Sequence, residues 1–217
     1  EKFIYSLQIN RYNLTAIFMC ALIEIRLEKY DDAQAKLEFL LTTNPNENVT
    51  YELANLNYIK ENYEKAIDFA QKSITYNPLI LPSYLLLGKI YSILLDFENS
   101  EKYFELAEEK ELQNPLLYVE WGNALCKFFK FEKAKEIFEK AQDDNDALLG
   151  IALCNAELGN IEEAKSFIKN YNSNNLFIAE IKGLIEYHNG NFKQAILAAG
   201  SGCMAFLEAE KYLAQLK

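Results

Sequence analysis

A repeated spacing of small and bulky residues is the feature that most constrains how this chain can fold. Six times, a small residue is followed nine positions later by a bulky one and three positions after that by another small one. The second small residues lie 33, 34, 34, 30 and 31 positions apart, which indicates an array of similar units and not one globular core. The six sets are Ala21-Tyr30-Ala33, Ala54-Tyr63-Ala66, Gly88-Phe97-Ser100, Gly122-Phe131-Ala134, Ala152-Ile161-Ala164 and Gly183-Phe192-Ala195.

Small residues at both ends of each set predict a close crossing of two helices. Only Gly, Ala or Ser leaves room for two helix backbones to approach each other at such a point. The bulky residue lies one turn before the second small residue on the same helix face, where it can fill the space beside the crossing. Each unit is therefore predicted to be a helix, a short turn and an antiparallel helix.

The third unit carries the fullest pattern, and it resembles a known repeat family. Its residues resemble the tetratricopeptide repeat signature, and two units also end in the Asn-Pro pair of that family, at Asn44-Pro45 and Asn77-Pro78. The resemblance covers roughly residues 1–199. It implies an all-α, right-handed superhelical array of helix-turn-helix repeats, an alpha-solenoid. The signature residues are Tyr84, Leu87, Gly88, Tyr91, Phe97, Ser100, Phe104 and Ala107.

The register of the pattern predicts the domain organisation. Residues 1–13 are expected to form the second helix of a partial preceding repeat, which suggests a fragment of a longer protein or a bare capping helix. Residues 201–217 are expected to form a C-terminal capping helix, because terminal repeats need a polar outer face. Alternatively, the Gly-Ser-Gly sequence at 200–202 is a joint for a tethered helix that docks in the groove. Six repeats are predicted within residues 14–200, at about 14–46, 47–80, 81–114, 115–144, 145–175 and 176–200.

The turn inside each unit differs along the chain. Gly159-Asn160 and Gly190-Asn191 supply the glycine that commonly follows a helix. The first four units have no glycine there, so their turns are expected to be tighter or strained. These turns fall at Glu28-Lys29, Glu61-Asn62, Leu95-Asp96 and Phe129-Lys130. The fourth and fifth units are also three or four residues shorter, so their second helices or the loops that follow are expected to be clipped.

Charge and composition exclude some classes of partner. The 217 residues carry 32 acidic against 22 basic side chains and a net charge of −10, whereas a nucleic-acid partner calls for a basic surface. The sequence contains no run of eighteen apolar residues, so it predicts no membrane span. The four cysteines lack metal-ligand spacing, which favours their interpretation as small apolar residues in a reducing, cytoplasmic compartment.

The resemblance also implies where a partner would bind, because first helices of tetratricopeptide repeats line the concave surface. Here that surface is largely apolar, and a large exposed apolar patch generally marks an interaction site. The alternative is that neighbouring helices bury these side chains. The predicted groove residues are Phe18, Met19, Leu22, Tyr51, Asn55, Tyr58, Leu85, Leu86, Lys89, Val119, Asn123, Leu149, Leu153, Phe177, Ile181 and Tyr187.

Signals for catalysis or for a cofactor are missing from the sequence. His188 is the single histidine and has no cysteine or paired acid at metal-ligand spacing. No phosphate-binding or nucleophile motif occurs. The Lys and Arg residues that let some tetratricopeptide repeats bind a carboxylate terminus are also missing from the matching first-helix positions. We therefore expect no catalytic residues, no metal and no cofactor.

These observations predict a non-enzymatic scaffold that binds an amphipathic helix or an extended apolar segment of another protein in its groove. One alternative is a regulatory or targeting segment of a larger enzyme or of a secretion or assembly complex. Another alternative is a structural subunit whose repeats are used in self-association.

Overall fold

The fold is all-α in every part of the chain that the structure describes. The computed structural model describes residues 13–110, 114–141, 144–169, 176–191 and 193–195. No strand occurs in these residues. The helices are α1 (Leu14–Arg26), α2 (Tyr30–Thr43), α3 (Glu47–Ile59), α4 (Tyr63–Tyr76), α5 (Leu81–Ile93), α6 (Phe97–Glu109), α7 (Pro115–Lys127), α8 (Phe131–Glu139), α9 (Asn145–Glu157), α10 (Ile161–Ile168) and α11 (Leu176–His188). Residues 193–195 are also helical.

Consecutive helices pack in pairs, and the pairs are numbered here as hairpins. Hairpins 1 to 3 are α1–α2, α3–α4 and α5–α6; hairpins 4 and 5 are α7–α8 and α9–α10. The contacts divide the chain into two compact units, residues 1–112 and 113–217. Within each unit, the second helix of one hairpin packs on the first helix of the next. The expectation of helix-turn-helix repeats is thus confirmed.

The predicted crossings lie at the centre of each hairpin. In hairpin 3, a Cβ atom added to Gly88 would lie 2.6 Å from the ring of Phe104, so the ring already fills the space beside the glycine. In the second unit the ring of Phe138 lies against both Gly122 and Gly150 in the same way. A Cβ atom added to Gly122 would lie 2.5 Å from this ring, and one added to Gly150 would lie 2.4 Å from it. The small residues of the other pairs are fully buried, at Ala21, Ala33, Ala54, Ala66, Ala134, Ala152, Ala164 and Ala195.

Each first helix ends in the same turn. In hairpin 1 the amide of Lys29 donates to the carbonyl of Glu24 at 2.8 Å, and the amide of Glu28 donates to Ile25 at 3.0 Å. This is the Schellman pattern, which places the residue after the helix cap in the left-handed conformation. Gly159 and Gly190 adopt it with φ of +77°. The other turns place non-glycine residues there with φ between 57° and 59°, at Glu28, Glu61, Leu95 and Phe129.

The left-handed turns confirm the expectation of strain. Side chains with a Cβ atom are disfavoured in this conformation, because Cβ approaches the following carbonyl oxygen. Leu95 and Phe129 are the bulky cases, and their exposed fractions are 75% and 64%. At neither residue does burial of the side chain offset the backbone strain.

Asparagine and aspartate side chains cap the starts of several helices. The Oδ1 atom of Asn46 accepts hydrogen bonds from the amides of Asn48 and Val49 at 3.0 and 3.1 Å. Asn114 and Asp144 cap α7 and α9 in the same manner. Such caps satisfy amides that have no partner within the helix.

The second helices of hairpins 4 and 5 are shorter than the others. Helices α8 and α10 have 9 and 8 residues, whereas α2, α4 and α6 have 13 or 14. The shortening predicted for these two units is therefore, at least in part, a shortening of helices α8 and α10. The predictions for residues 1–12 and 201–217 lie outside the described residues, and the repeat boundaries remain predictions.

Candidate functional site

The predicted groove residues of the first unit lie on α1, α3 and α5, the first helices of hairpins 1 to 3. Phe18, Tyr51 and Leu85 occupy the fifth position of their helices, and Leu22, Asn55 and Lys89 occupy the ninth. Equivalent positions on stacked helices form rows along one face. The first row is apolar throughout, whereas the second changes from an aliphatic to an amide and then to a cationic side chain.

Hairpins 1 and 2 provide the accessible part of this face. Phe18, Met19 and Leu22 are half-buried on α1. Phe18 packs on a core cluster that includes Ile17, Ala21, Leu37 and Leu53, so one side of its ring is fixed by the core. The ring is therefore held in place while part of it stays accessible.

Two tyrosines extend the face on α3. Tyr51 and Tyr58 are half-buried and pack on a core cluster that contains Ala54, Leu86 and Ile90. The Tyr58 ring also meets the ring of Tyr63, with centroids 6.2 Å apart. Aromatic rings held in this way offer contact area while losing little conformational entropy on binding.

A half-buried carboxylate lies beside these tyrosines. Burial raises the pKa of Glu52, and a hydrogen bond to Asn55 and the charge of Arg26 lower it by less. Burial raises the pKa of Tyr51 as well, with a further contribution from Glu52. The largely apolar surroundings of Glu52 therefore disfavour its ionised form.

Other predicted groove residues are packing residues. Leu85 and Leu86 on α5 are each 7% exposed, and Leu86 belongs to the core cluster under Tyr51 and Tyr58. Lys89 on the same helix is half-buried. In the first unit, the accessible apolar face is thus provided by α1 and α3 more than by α5.

The predicted residues of the second unit divide in a similar way. Val119 on α7 and Leu149 on α9 are each 7% exposed, and Ile181 on α11 is fully buried. The exposed or half-buried residues are Asn123, Leu153 and Tyr187. Phe177 lies on α11, but its side chain is outside the described residues.

A cavity of about 160 Å³ lies at the start of the face in the first unit. Phe18 belongs to the predicted groove, whereas Leu40 of the second helix α2 was missed. The asparagine-rich loop between α2 and α3 is the sequence signal that could have indicated Leu40 as a lining residue. The lining residues are Leu14, Thr15, Phe18, Leu40, Asn44, Asn46, Asn48 and Val49.

Cys126 and Cys154 are in contact within the second unit, with their Sγ atoms 3.7 Å apart. The hydrogen bond to Cys126 and burial hold the pKa of the Cys154 thiol well above its usual range. A neutral, buried thiol is a poor nucleophile. This pair therefore packs as small apolar residues, as predicted for the cysteines.

The described residues offer no candidate metal site. Those residues hold no cluster of three or more His, Cys, Asp or Glu side chains that could bind a metal ion. His188 is exposed, and its ring lies edge-on to that of Tyr187 with centroids 5.6 Å apart. Among the described helices, none has both the length and the apolar character to cross a membrane.

Stacked helix hairpins with one partly accessible apolar face define a helical-repeat protein of the kind that serves in protein–protein interaction. Residues 18–78 and 81–109 match the tetratricopeptide repeat family. The chain therefore contains tetratricopeptide repeats over these residues. Repeats of this family are generally non-catalytic scaffolds, and they bind peptides or proteins. No curated protein sequence matches the chain.

Solved structures of other repeat proteins share this fold. A tetratricopeptide repeat protein from Parabacteroides merdae has a TM-score of 0.70 at 15% identity, over 96% of this chain and 88% of that one. PilW, a type IV pilus biogenesis factor, has a TM-score of 0.72 at 18% identity, over 94% and 93%. YrrB, described as having an unusual peptide-binding site, has a TM-score of 0.58 at 19% identity, over 81% and 97%. At these identities the similarity shows the fold alone.

Proposed function

We propose that the chain is a non-enzymatic scaffold that binds an amphipathic helix or an extended apolar segment of another protein on the first helices of its first unit. The observation that supports it most is the partly accessible apolar face formed by Phe18, Met19, Leu22, Tyr51 and Tyr58. The three aromatic residues of this face pack on two core clusters. An amphipathic segment places apolar side chains on such a surface and leaves its polar side in water.

The cavity beside Phe18 supports the same proposal. A cavity of about 150 Å³ lined by Leu, Ile and Phe binds one benzene molecule, so this cavity of about 160 Å³ has room for one apolar side chain of the partner. Asn44 and Asn48 lie at the cavity, and an asparagine side chain can both donate to and accept from a peptide backbone. The partner segment is thus expected to insert a single apolar residue here.

The buried positions restrict which variants can test the proposal. Leu85 is only 7% exposed, so a carboxylate there would unfold the hairpin whatever it does to binding. Tyr51 is half-buried and accepts a polar replacement with less damage. Tyr76 on α4 of the same hairpin is 51% exposed and is not part of the predicted groove, so it offers a matched control.

The experiment selects peptides from a phage-displayed library against the chain and measures their affinities by fluorescence anisotropy. We expect the selected peptides to share apolar anchors. Tyr51→Glu should weaken their binding at least tenfold, whereas Tyr76→Glu should leave it unchanged. Equal binding by both variants, with circular dichroism intact, would remove the groove from consideration.

A further inference from the structure

A second exposed apolar surface lies at the turns of hairpins 1 to 3 and is separate from the groove. We call it the turn edge, and it consists of Leu27, Ile59, Leu94 and Leu95. Their exposed fractions are 60%, 37%, 47% and 75%. Each residue lies at the last position of a first helix or in the Schellman turn that follows it.

Contacts between neighbouring hairpins bring these turns together. The Nζ atom of Lys60, in the second turn, lies 2.9 Å from Oδ1 of Asp31 and 2.9 Å from Oε1 of Gln34, both just beyond the first turn. Tyr58 and Tyr91 precede the second and third turns and pack on the same core cluster. The three turns therefore lie side by side along one edge of the first unit.

Leu95 is the one residue of the turn edge that combines backbone strain with an exposed apolar side chain. It adopts the left-handed conformation with φ of 58° and exposes 75% of its surface. A glycine would remove both the strain and the exposed apolar surface, and the chain uses glycine at the same turn position in Gly159 and Gly190. Backbone strain that side-chain burial does not offset is found most often at functional surfaces.

The charge around the turn edge indicates what could cover it. The turns and the starts of the second helices, residues 26–32, 59–65 and 93–99, hold seven acidic and four basic side chains. Asp96 is next to Leu95, and its hydrogen bonds to Asn99 lower the pKa of its carboxyl, so it stays ionised. The cation of Lys60 is already held by Asp31. A basic partner is thus favoured, while a second copy of this acidic chain is repelled.

From these observations we infer that the turn edge of the first unit is a docking surface for a basic amphipathic segment of another protein. The apolar stripe of that segment lies over Leu27, Ile59, Leu94 and Leu95, and its Lys or Arg side chains meet Glu28, Glu61 and Asp96. This surface is independent of the groove proposed above, so both could be occupied at once.

The test uses a synthetic amphipathic helix of Leu and Lys as the probe, and the same pattern with Glu in place of Lys as its control. Binding is measured by fluorescence anisotropy with the intact chain at physiological salt. We expect the Lys peptide to bind and the Glu peptide not to bind. Equal binding of both peptides would overturn the inference, because the charge argument would then be wrong.

Variants locate the bound peptide. Leu95→Gly should weaken binding at least tenfold and raise the Tm by about 2 °C, because it relieves the left-handed strain. Loss of binding together with a gain in stability cannot come from unfolding. Leu79→Gly removes another exposed leucine, which is 61% exposed in the loop between hairpins 2 and 3, and should leave binding unchanged.

Two further outcomes would also overturn the inference. If Tyr51→Glu weakens binding of the Lys peptide and Leu95→Gly does not, the peptide occupies the groove. If light scattering shows a dimer that Leu95→Gly converts to a monomer, the occupant is a second copy of the chain. A monomeric chain, with binding sensitive only to Leu95→Gly, supports the turn edge.

Discussion

The Ser100 hydroxyl lies 2.9 Å from the backbone carbonyl oxygen of Gly88, to which it donates a hydrogen bond across hairpin 3. Both residues are buried, so this bond is formed away from water. It can form only because neither residue has a bulky side chain to separate α5 from α6. The small residue on each helix therefore sets the distance between the helices, and the aromatic ring of Phe104 fills the space beside them.

Gly88→Ala should destabilise the chain by about 1–3 kcal/mol, because the added methyl group overlaps the Phe104 ring. Chemical denaturation measures this loss. Phe104→Leu leaves more room beside position 88, so the double variant should lose less stability than the sum of the two single variants. Strictly additive losses would show that the two residues do not share the crossing.

Ala33→Leu and Ala35→Leu form a matched pair on α2. Ala33 is fully buried at a crossing and Ala35 is exposed. The first change should cost about 1–3 kcal/mol through overpacking, while the second should alter stability by less than about 0.5 kcal/mol. Thermal melts measure both changes. Equal shifts in the melting temperature of the two variants would contradict a close helix crossing at Ala33.

Glu61→Gly should stabilise the chain by about 0.5–1 kcal/mol, because glycine adopts the left-handed conformation of this turn without a steric penalty. The same replacement at Ala35, within helix α2, should instead cost about 1 kcal/mol. Urea denaturation distinguishes the two. A loss of stability at both positions would show that residue 61 is not strained.

Glu52→Gln should stabilise the free chain at neutral pH. Burial raises the pKa of Glu52, so the folded state holds the proton more tightly than the unfolded state does. The stability of the natural chain therefore falls as pH rises from the ordinary pKa of glutamate through the raised value, and stays lower above it.

The glutamine variant cannot ionise at this position, so its advantage should be present at pH 7 and disappear as the pH falls below the ordinary pKa of glutamate. Melting temperatures measured from pH 4 to pH 8 would show this. Glu64→Gln, at an exposed position on α4, provides the control and should give no such gain. An advantage that persists unchanged at acid pH would rule out the charge of Glu52 as its cause.

The sequence predicts the hairpins well because their signal is local. A small residue at a crossing and a turn a few residues before the second helix are both set by spacing along the chain, and Gly88 and Glu61 lie where that spacing places them. Strain in the turn at Glu61 was also predicted, whereas its left-handed conformation comes from the structure, in which each first helix ends in the same turn.

Exposure on the predicted groove is less predictable, because it depends on neighbouring hairpins. Phe18, Tyr51 and Leu85 have the same helix position, yet the first two are half-buried and Leu85 is 7% exposed. The position fixes the direction of the side chain, but the size of the residues on adjacent helices decides how much of it is covered. Spacing within one repeat carries no information on that size.

Hairpins 4 and 5 share one aromatic ring, that of Phe138, which lies against Gly122 of one and Gly150 of the other. A hydrogen bond of 3.0 Å from Lys135 to Asn155 joins the same two hairpins. A fragment that ends after α8 would leave the ring solvated on one side, and a fragment that starts at α9 would leave Gly150 beside an empty space. The boundary for a shortened version of the second unit must therefore keep both hairpins together.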